Sequence, residues 1–164
     1  MPQPPPIPAP LPLADHLEWQ AWFDGSALPN PGRIGLGAIL RGPEGQQLEY
    51  SGLAADGGCN NEAELLALGK ALEMARDSGA RRLIVRGDSD FAVRHLRGEA
   101  HTRVAHLHEL ILQMQPLLAG FASVRLEWIP RHRNPDADRL SRAALGLPDK
   151  PAAKPGVLKK KRRR

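Results

Sequence analysis

The sequence predicts one α/β domain, a five-stranded mixed sheet flanked by helices. Two observations carry that prediction. Three strand-like segments follow one another closely before residue 54, and beyond it apolar residues recur at helical spacing in segments separated by single short strands. Length sets the scale: 164 residues, 41% of them hydrophobic, can close one core but leave no room for a second domain of ordinary size.

Residues 2–12 alternate proline with small or aliphatic side chains, which favours polyproline II, so residues 1–15 read as a disordered leader. A ligand for a proline-recognising domain is the alternative reading. Residues 19–23 form a short strand running into Asp24, after which Gly25, Pro29, Asn30, Pro31 and Gly32 read as a turn cluster. Residues 34–40 and 47–53 are two further strands joined by Gly42-Pro43-Glu44-Gly45, and the three make a meander. From residue 60 to 77 the period changes. Ala63, Leu66, Ala67, Lys70, Ala71 and Met74 recur every three or four residues, Asn60 is the expected N-cap and Gly79 follows the end. Leu83, Ile84 and Val85 then form a buried strand ending at Gly87-Asp88, and residues 89–96 a short helix stopped by Gly98. Val104, Leu107, Leu110, Ile111, Met114, Leu117 and Leu118 place one apolar stripe on a longer helix, with Pro116 near its end. A strand over 123–129 and a helix over 135–145 complete a domain spanning residues 16–147.

Residues 148–164 end in Lys159-Lys160-Lys161-Arg162-Arg163-Arg164 and read as a disordered basic tail. The formal net charge of +5 belongs to this tail: residues 1–148 hold 15 Lys or Arg against 17 Asp or Glu, a net of −2, and residues 149–164 hold 8 against 1, a net of +7. A single cysteine, Cys59, excludes an intramolecular disulfide and fits a reducing compartment. There is no apolar run of membrane-spanning length, and the start lacks the basic region and unbroken apolar core of a signal peptide. The expectation is a soluble, cytoplasmic, monomeric protein with no membrane partner.

Chemistry concentrates in four acids on four separate segments: Asp24 after the first strand, Glu64 early in the first long helix, Asp88 after the fourth strand and Asp138 in the last helix. Strands one and four can be neighbours in a mixed sheet, with both carboxylates at one edge. Singly, each acid has a simpler explanation as a turn residue, a solvated helix acid, a helix cap or a first-turn acid. Together they would repel and raise one another's pKa values unless a cation compensates. Hard oxygen ligands suit Mg²⁺, with Mn²⁺ as a substitute, and two such ions can serve an in-line phosphoryl displacement.

The residues around the acids resemble the type 1 ribonuclease H family. Asp24-Gly25-Ser26-Ala27-Leu28-Pro29-Asn30-Pro31-Gly32 is similar to its first motif, Asn60-Asn61-Glu62-Ala63-Glu64 to its Asn-Asn-x-x-Glu helix start, and Gly87-Asp88-Ser89 to the Asp-Ser after its fourth strand. Residues 130–141, PRHRNPDADRLS, resemble its closing Arg-x-x-Asn-x-x-Ala-Asp-x-Leu-Ala segment. The likeness covers roughly residues 19–145, with every motif in family order. It implies a ribonuclease H-like fold, an RNA/DNA hybrid as nucleic-acid partner, and two-metal hydrolysis of the RNA strand leaving 5′-phosphate and 3′-hydroxyl ends. It selects Glu64 over Glu62 and Asp138 over Asp136 as metal ligands beside Asp24 and Asp88. Substrate contacts are implied at Gly25, Ser26, Asn60, Asn61 and Asn30, where glycine permits close backbone approach and amides can read 2′-hydroxyls. His132 falls where many members carry a histidine near the scissile phosphate, positioned for proton relay or product release. A surface loop histidine is the alternative.

Residues 94–103 are short and only moderately basic, so the DNA-gripping protrusion of some family members is absent or reduced; the basic tail is expected either to substitute for it in part, through salt-sensitive phosphate attraction, or to be a solubilising tail without a role in cleavage. His101, His106 and His108 do not read as a metal site, because His106 and His108 cannot share a helical face and no cysteine joins them; Cys59 reads as a packing or surface residue. A nucleic-acid-binding module with little turnover, or a nuclease with another strand preference, are the competing functions on one fold.

Overall fold

The computed structural model describes residues 2–6 and 16–149, so most of the expected leader and nearly all of the expected basic tail lie outside the described residues. Strands β1 (Glu18–Leu28), β2 (Arg33–Arg41) and β3 (Gln47–Leu53) form the antiparallel meander. Helix α1 (Asn60–Asp77), strand β4 (Arg82–Gly87), helices α2 (Asp90–Leu96) and α3 (Ala105–Ala119), strand β5 (Ser123–Trp128) and helix α4 (Pro135–Ala144) follow, with a 3-10 turn at Arg131–Arg133 before α4. The sheet runs β3-β2-β1-β4-β5, with β4 parallel to both β1 and β5. This is the five-stranded mixed sheet flanked by helices that the segment order predicts.

Three local expectations need correction. Strand β1 does not stop before Asp24 but continues to Leu28, because Asp24 pairs with Gly37 and the next four residues pair in order with Leu36 through Arg33. The turn is thus confined to Pro29–Gly32, and Asp24 is a mid-strand residue. Helix α1 is capped by Cys59, whose sulfur accepts the Glu62 N–H at 3.5 Å, while Asn60 is its first residue. The Asn60 side chain is already engaged: its Oδ1 accepts the Ala27 N–H at 2.9 Å and ties the helix start to the end of β1. Val104 lies outside the apolar stripe of α3, at its N-cap and exposed. Helix α1 packs on β1 and β2 and against α3, and Leu65, Leu68 and Leu72 are fully buried. Covered on two sides, it needs no sharp division into apolar and polar faces.

Two places without side chains set the distance between layers. A Cβ on Gly25 would collide with the backbone of α1 at Ala63 and stand 2.8 Å from the Glu64 nitrogen, so only glycine lets the first turn of α1 rest on β1. On the neighbouring strand a Cβ on Gly37 would collide with the Ala137 carbonyl and stand 2.6 Å from the Ser141 nitrogen, and Gly35 lies under the Ser141 carbonyl in the same way. Helix α4 therefore rests backbone on backbone against β2. Side chains alternate across a strand, so Gly25 faces α1 while Asp24 and its partner Gly37 face α4.

Candidate active site

Parallel pairing of β1 with β4 aligns Phe23 with Gly87, so the next residues, Asp24 within β1 and Asp88 just past the end of β4, stand side by side. Glu64 reaches them from the first turns of α1. Oxygen atoms of Asp24, Glu64 and Asp88 lie within 4.8 Å of one another. Asp138 stands beside this trio on α4, half-buried, and lines the same cleft of about 460 Å³ with Asp24 and Glu64. Glu62 and Asp136, the neighbours that the motifs pass over, are outside the trio, and Asp136 is exposed and pairs with Arg41 at 4.0 Å.

Hydrogen bonds fix the acids one by one. The Gly25 N–H donates to Glu64 Oε2 at 3.2 Å, a bond that needs the close approach of β1 and α1. Ser141 Oγ donates to Asp24 Oδ2 at 2.6 Å and lies 3.0 Å from the Asp138 carbonyl oxygen. Asn134 is 2% exposed, and its Nδ2 bridges the Phe23 carbonyl at 2.9 Å and Asp88 Oδ2 at 3.4 Å. Trp128 Nε1 donates to the Asp88 carbonyl at 3.2 Å. Of these partners, Ser141 and Asn134 fall inside the closing motif, but neither periodicity nor spacing marks them as supports of the acids. Ser141 occupies the position where the resembled pattern has alanine, and that departure was the available signal.

Crowding in a desolvated place shows in protonation. Burial pushes Asp24 up from 3.8 to about 7; the Ser141 hydrogen bond opposes this, Asp88 and Asp138 add to it, and Arg131 opposes it. Glu64 is held well above the usual carboxylate range, chiefly by burial, then by the charges of Asp24 and Asp88, against the Gly25 N–H; a side-chain hydrogen bond with Asp24 raises it further. Two carboxyl groups that share a hydrogen bond in this way hold a proton between them in the absence of a cation. A divalent cation relieves both burial and repulsion, and an all-oxygen donor set is the chemistry that Mg²⁺, Mn²⁺ or Ca²⁺ takes. The residues present fit a metal centre.

The remaining expected residues divide. Gly25, Ser26, Asn60 and Asn61 line the cleft with Asp24, Glu64 and Asp138, joined by Ser89, Phe91, Arg131 and Arg142, and the last two bring positive charge to it. Asn61 is exposed there. Ser26 is half-buried, its Oγ 3.4 Å from that of Ser141. Gly25 is buried under α1, and the space its missing side chain leaves on that side is taken by the Ala63 backbone. Asn30 sits outside the cleft lining, and its Oδ1 accepts the Asn60 N–H at 3.1 Å, a brace for the helix start. His132 is exposed in the 3-10 turn, next to Arg131 and outside the cleft lining.

Sheet order β3-β2-β1-β4-β5, with a carboxylate cluster where the parallel pairing of the two central strands ends, defines the ribonuclease H-like class of α/β proteins. The chain belongs to the family described as Reverse transcriptase-like, whose pattern matches residues 22–144. It is 35% identical over 131 residues to Ribonuclease HI of Halobacterium salinarum, covering 76% of this chain and 63% of that protein. It is 34% identical over 131 residues to a bifunctional protein of Mycobacterium tuberculosis, covering 79% of this chain but 36% of that one. The chain thus spans less than two thirds of these relatives. Among solved structures, ribonuclease H1 of Halobacterium salinarum superimposes with a TM-score of 0.74 at 33% identity, over 79% of this chain and 98% of that one. The ribonuclease H1 designated LC11, solved in complex with an RNA/DNA hybrid, superimposes with a TM-score of 0.71 at 28% identity, over 78% and 96%.

Proposed function

We propose that this protein is a metal-dependent endoribonuclease that hydrolyses the RNA strand of RNA/DNA hybrids and leaves 5′-phosphate and 3′-hydroxyl ends. The observation that carries the reading is the trio Asp24, Glu64 and Asp88 with oxygens within 4.8 Å, two of them with raised pKa values. Membership of the family, and likeness to a relative solved with a hybrid, supply the substrate class.

Asp24, Glu64, Asp88 and Asp138 would hold two ions, Mg²⁺ by preference with Mn²⁺ as a substitute. Such ions, when bound, activate water and stabilise the leaving oxygen of a phosphodiester. The chain's own groups do the positioning. Ser141 and Asn134 orient Asp24 and Asp88, and the Gly25 N–H orients Glu64. Arg131 and Arg142 in the cleft lining attract phosphate, and Asn60, Asn61 and Ser26 offer polar groups able to read 2′-hydroxyls. His132, one residue from that lining, relays protons or aids product exit from its exposed turn. We further read residues 16–147 as the catalytic domain of a cytoplasmic monomer, with residues 1–15 and 148–164 as appendages; among the described residues no helix is long and apolar enough to cross a membrane.

The test is cleavage of labelled RNA/DNA hybrid, RNA duplex and single strands with Mg²⁺, Mn²⁺ or chelator, beside an Asp88→Asn variant. Cleavage of the hybrid RNA strand that chelator and Asp88→Asn both abolish is the expected outcome. Equal hybrid binding by parent and variant with no cleavage by either would refute the enzyme reading and leave a binding module.

A further inference from the structure

A second group of metal-ligating side chains joins the N-terminal ends of two helices, outside the carboxylate trio. Cys59 caps α1, Glu62 lies in its first turn and His106 is the second residue of α3. One ligand atom from each, sulfur, carboxylate oxygen and ring nitrogen, lies within 4.8 Å of the other two. The sequence spacing that separates His106 from His108 holds, but the absence of a cysteine partner does not: tertiary packing brings Cys59 to His106. Helix α3 lies along α1, and a Cβ on Gly69 of α1 would stand 3.3 Å from the Met114 methyl, so the two helices are closely apposed. The Glu62 carboxylate lies against Gly58, the residue before Cys59, in the space that a side chain there would take.

We propose that Cys59, Glu62 and His106 form a binding site for Zn²⁺, distinct from the all-oxygen cleft. The donor set is the argument. Thiolate, imidazole and carboxylate together are what Zn²⁺ takes, whereas Mg²⁺ prefers oxygen alone. Zn–S bonds of about 2.3 Å and Zn–N or Zn–O bonds of about 2.0–2.1 Å place tetrahedral ligands roughly 3.3–3.6 Å apart, a contraction that side-chain rotation alone can supply. His106 is exposed and Cys59 and Glu62 are half-buried, so the ion has access and the side chains have room to turn. The sulfur can retain the Glu62 N–H bond while it ligates, and three protein ligands leave one position open. Occupancy would clamp the start of α3 to the start of α1, beside Asn60 and Asn61.

Co²⁺ substitution tests this, because the chain holds one cysteine and a thiolate-to-cobalt charge-transfer band can therefore arise only at Cys59. The full chain is titrated with Co²⁺ in excess Mg²⁺, which fills the oxygen cleft. Expected are a saturable band at one equivalent that Zn²⁺ displaces, its loss in Cys59→Ala, and on the order of tenfold or more weaker binding in Glu62→Gln and in His106→Ala. Circular dichroism checks that each variant is folded, and the exposed His106 gives the variant least able to disturb packing. No band in the parent protein, or a band that titrates identically in His106→Ala and Glu62→Gln, would overturn the site and leave only a surface thiol.

Discussion

Removing divalent cations should turn the carboxylate cleft into a pH-dependent weakness. Asp24 has an ordinary pKa of 3.8 and a folded value of about 7, so between these limits the native state binds a proton that the unfolded state does not. A raised folded pKa gives stability that is fully present below the unfolded value and is lost as pH rises through the folded one. The difference of about three units corresponds to about 4 kcal/mol, of which about 3 kcal/mol is lost between pH 5 and pH 8. Glu64 is shifted in the same direction and adds to the loss. The assay is urea unfolding of chelator-treated protein at both pH values, beside Asp24→Asn, which cannot titrate at this position. The parent should lose the larger share of its stability on going to pH 8, and saturating Mg²⁺ should restore it. A chelated parent whose stability is flat or rising over that interval, or that parallels Asp24→Asn, would refute the reasoning.

Ser141→Ala removes a hydrogen bond that holds Asp24 down, so the acid limb of the hybrid-cleavage pH profile should move to higher pH. Urea melts of that variant should show a loss of about 1–3 kcal/mol, as for a buried hydrogen bond to a charged group. Gly37→Ala places a Cβ 2.6 Å from the Ser141 nitrogen and should cost about 1–3 kcal/mol by overpacking, with activity falling further as Asp138 is carried outward with α4. Melts and turnover measured on the same sample separate the two effects. Deleting residues 159–164, six basic side chains, should raise the Michaelis constant for hybrid mainly at low salt. An unchanged salt profile would reduce the tail to a solubilising appendage.

Much of this centre was legible because its information is local. Asn60-Asn61 and Asp88-Ser89 stand at element boundaries and Asp24-Gly25-Ser26 within one strand, but each is a short word of sequence that identifies a residue before any fold is known. What was not legible depends on pairing between distant segments. That β1 continues through Asp24 follows from Arg33–Gly37 lying opposite, which no property of residues 25–28 announces. Cys59 rather than Asn60 is the helix cap, while Ala27, on β1, claims the asparagine oxygen. Ser141 reads as an ordinary helix residue until α4 is laid over β2 and its hydroxyl meets a carboxylate. Glu62 lies in the first turn of the helix that Cys59 caps, but His106 comes from α3, so no spacing along the chain marks the three as a cluster.

The side-chain-free track on β2 has a consequence for tolerance to change. Gly35 and Gly37 make main chain the spacer between α4 and the sheet, so the depth at which Asp138 hangs over the cleft is decoupled from the volumes of interior side chains. Exchanges among aliphatic residues on the buried side of α1, such as Leu68 or Leu72, can proceed without dragging the fourth acid along. The two glycines act as a fixed gauge for α4, and variation that spares them leaves the height of Asp138 free to persist while the interior on the other side of the sheet drifts.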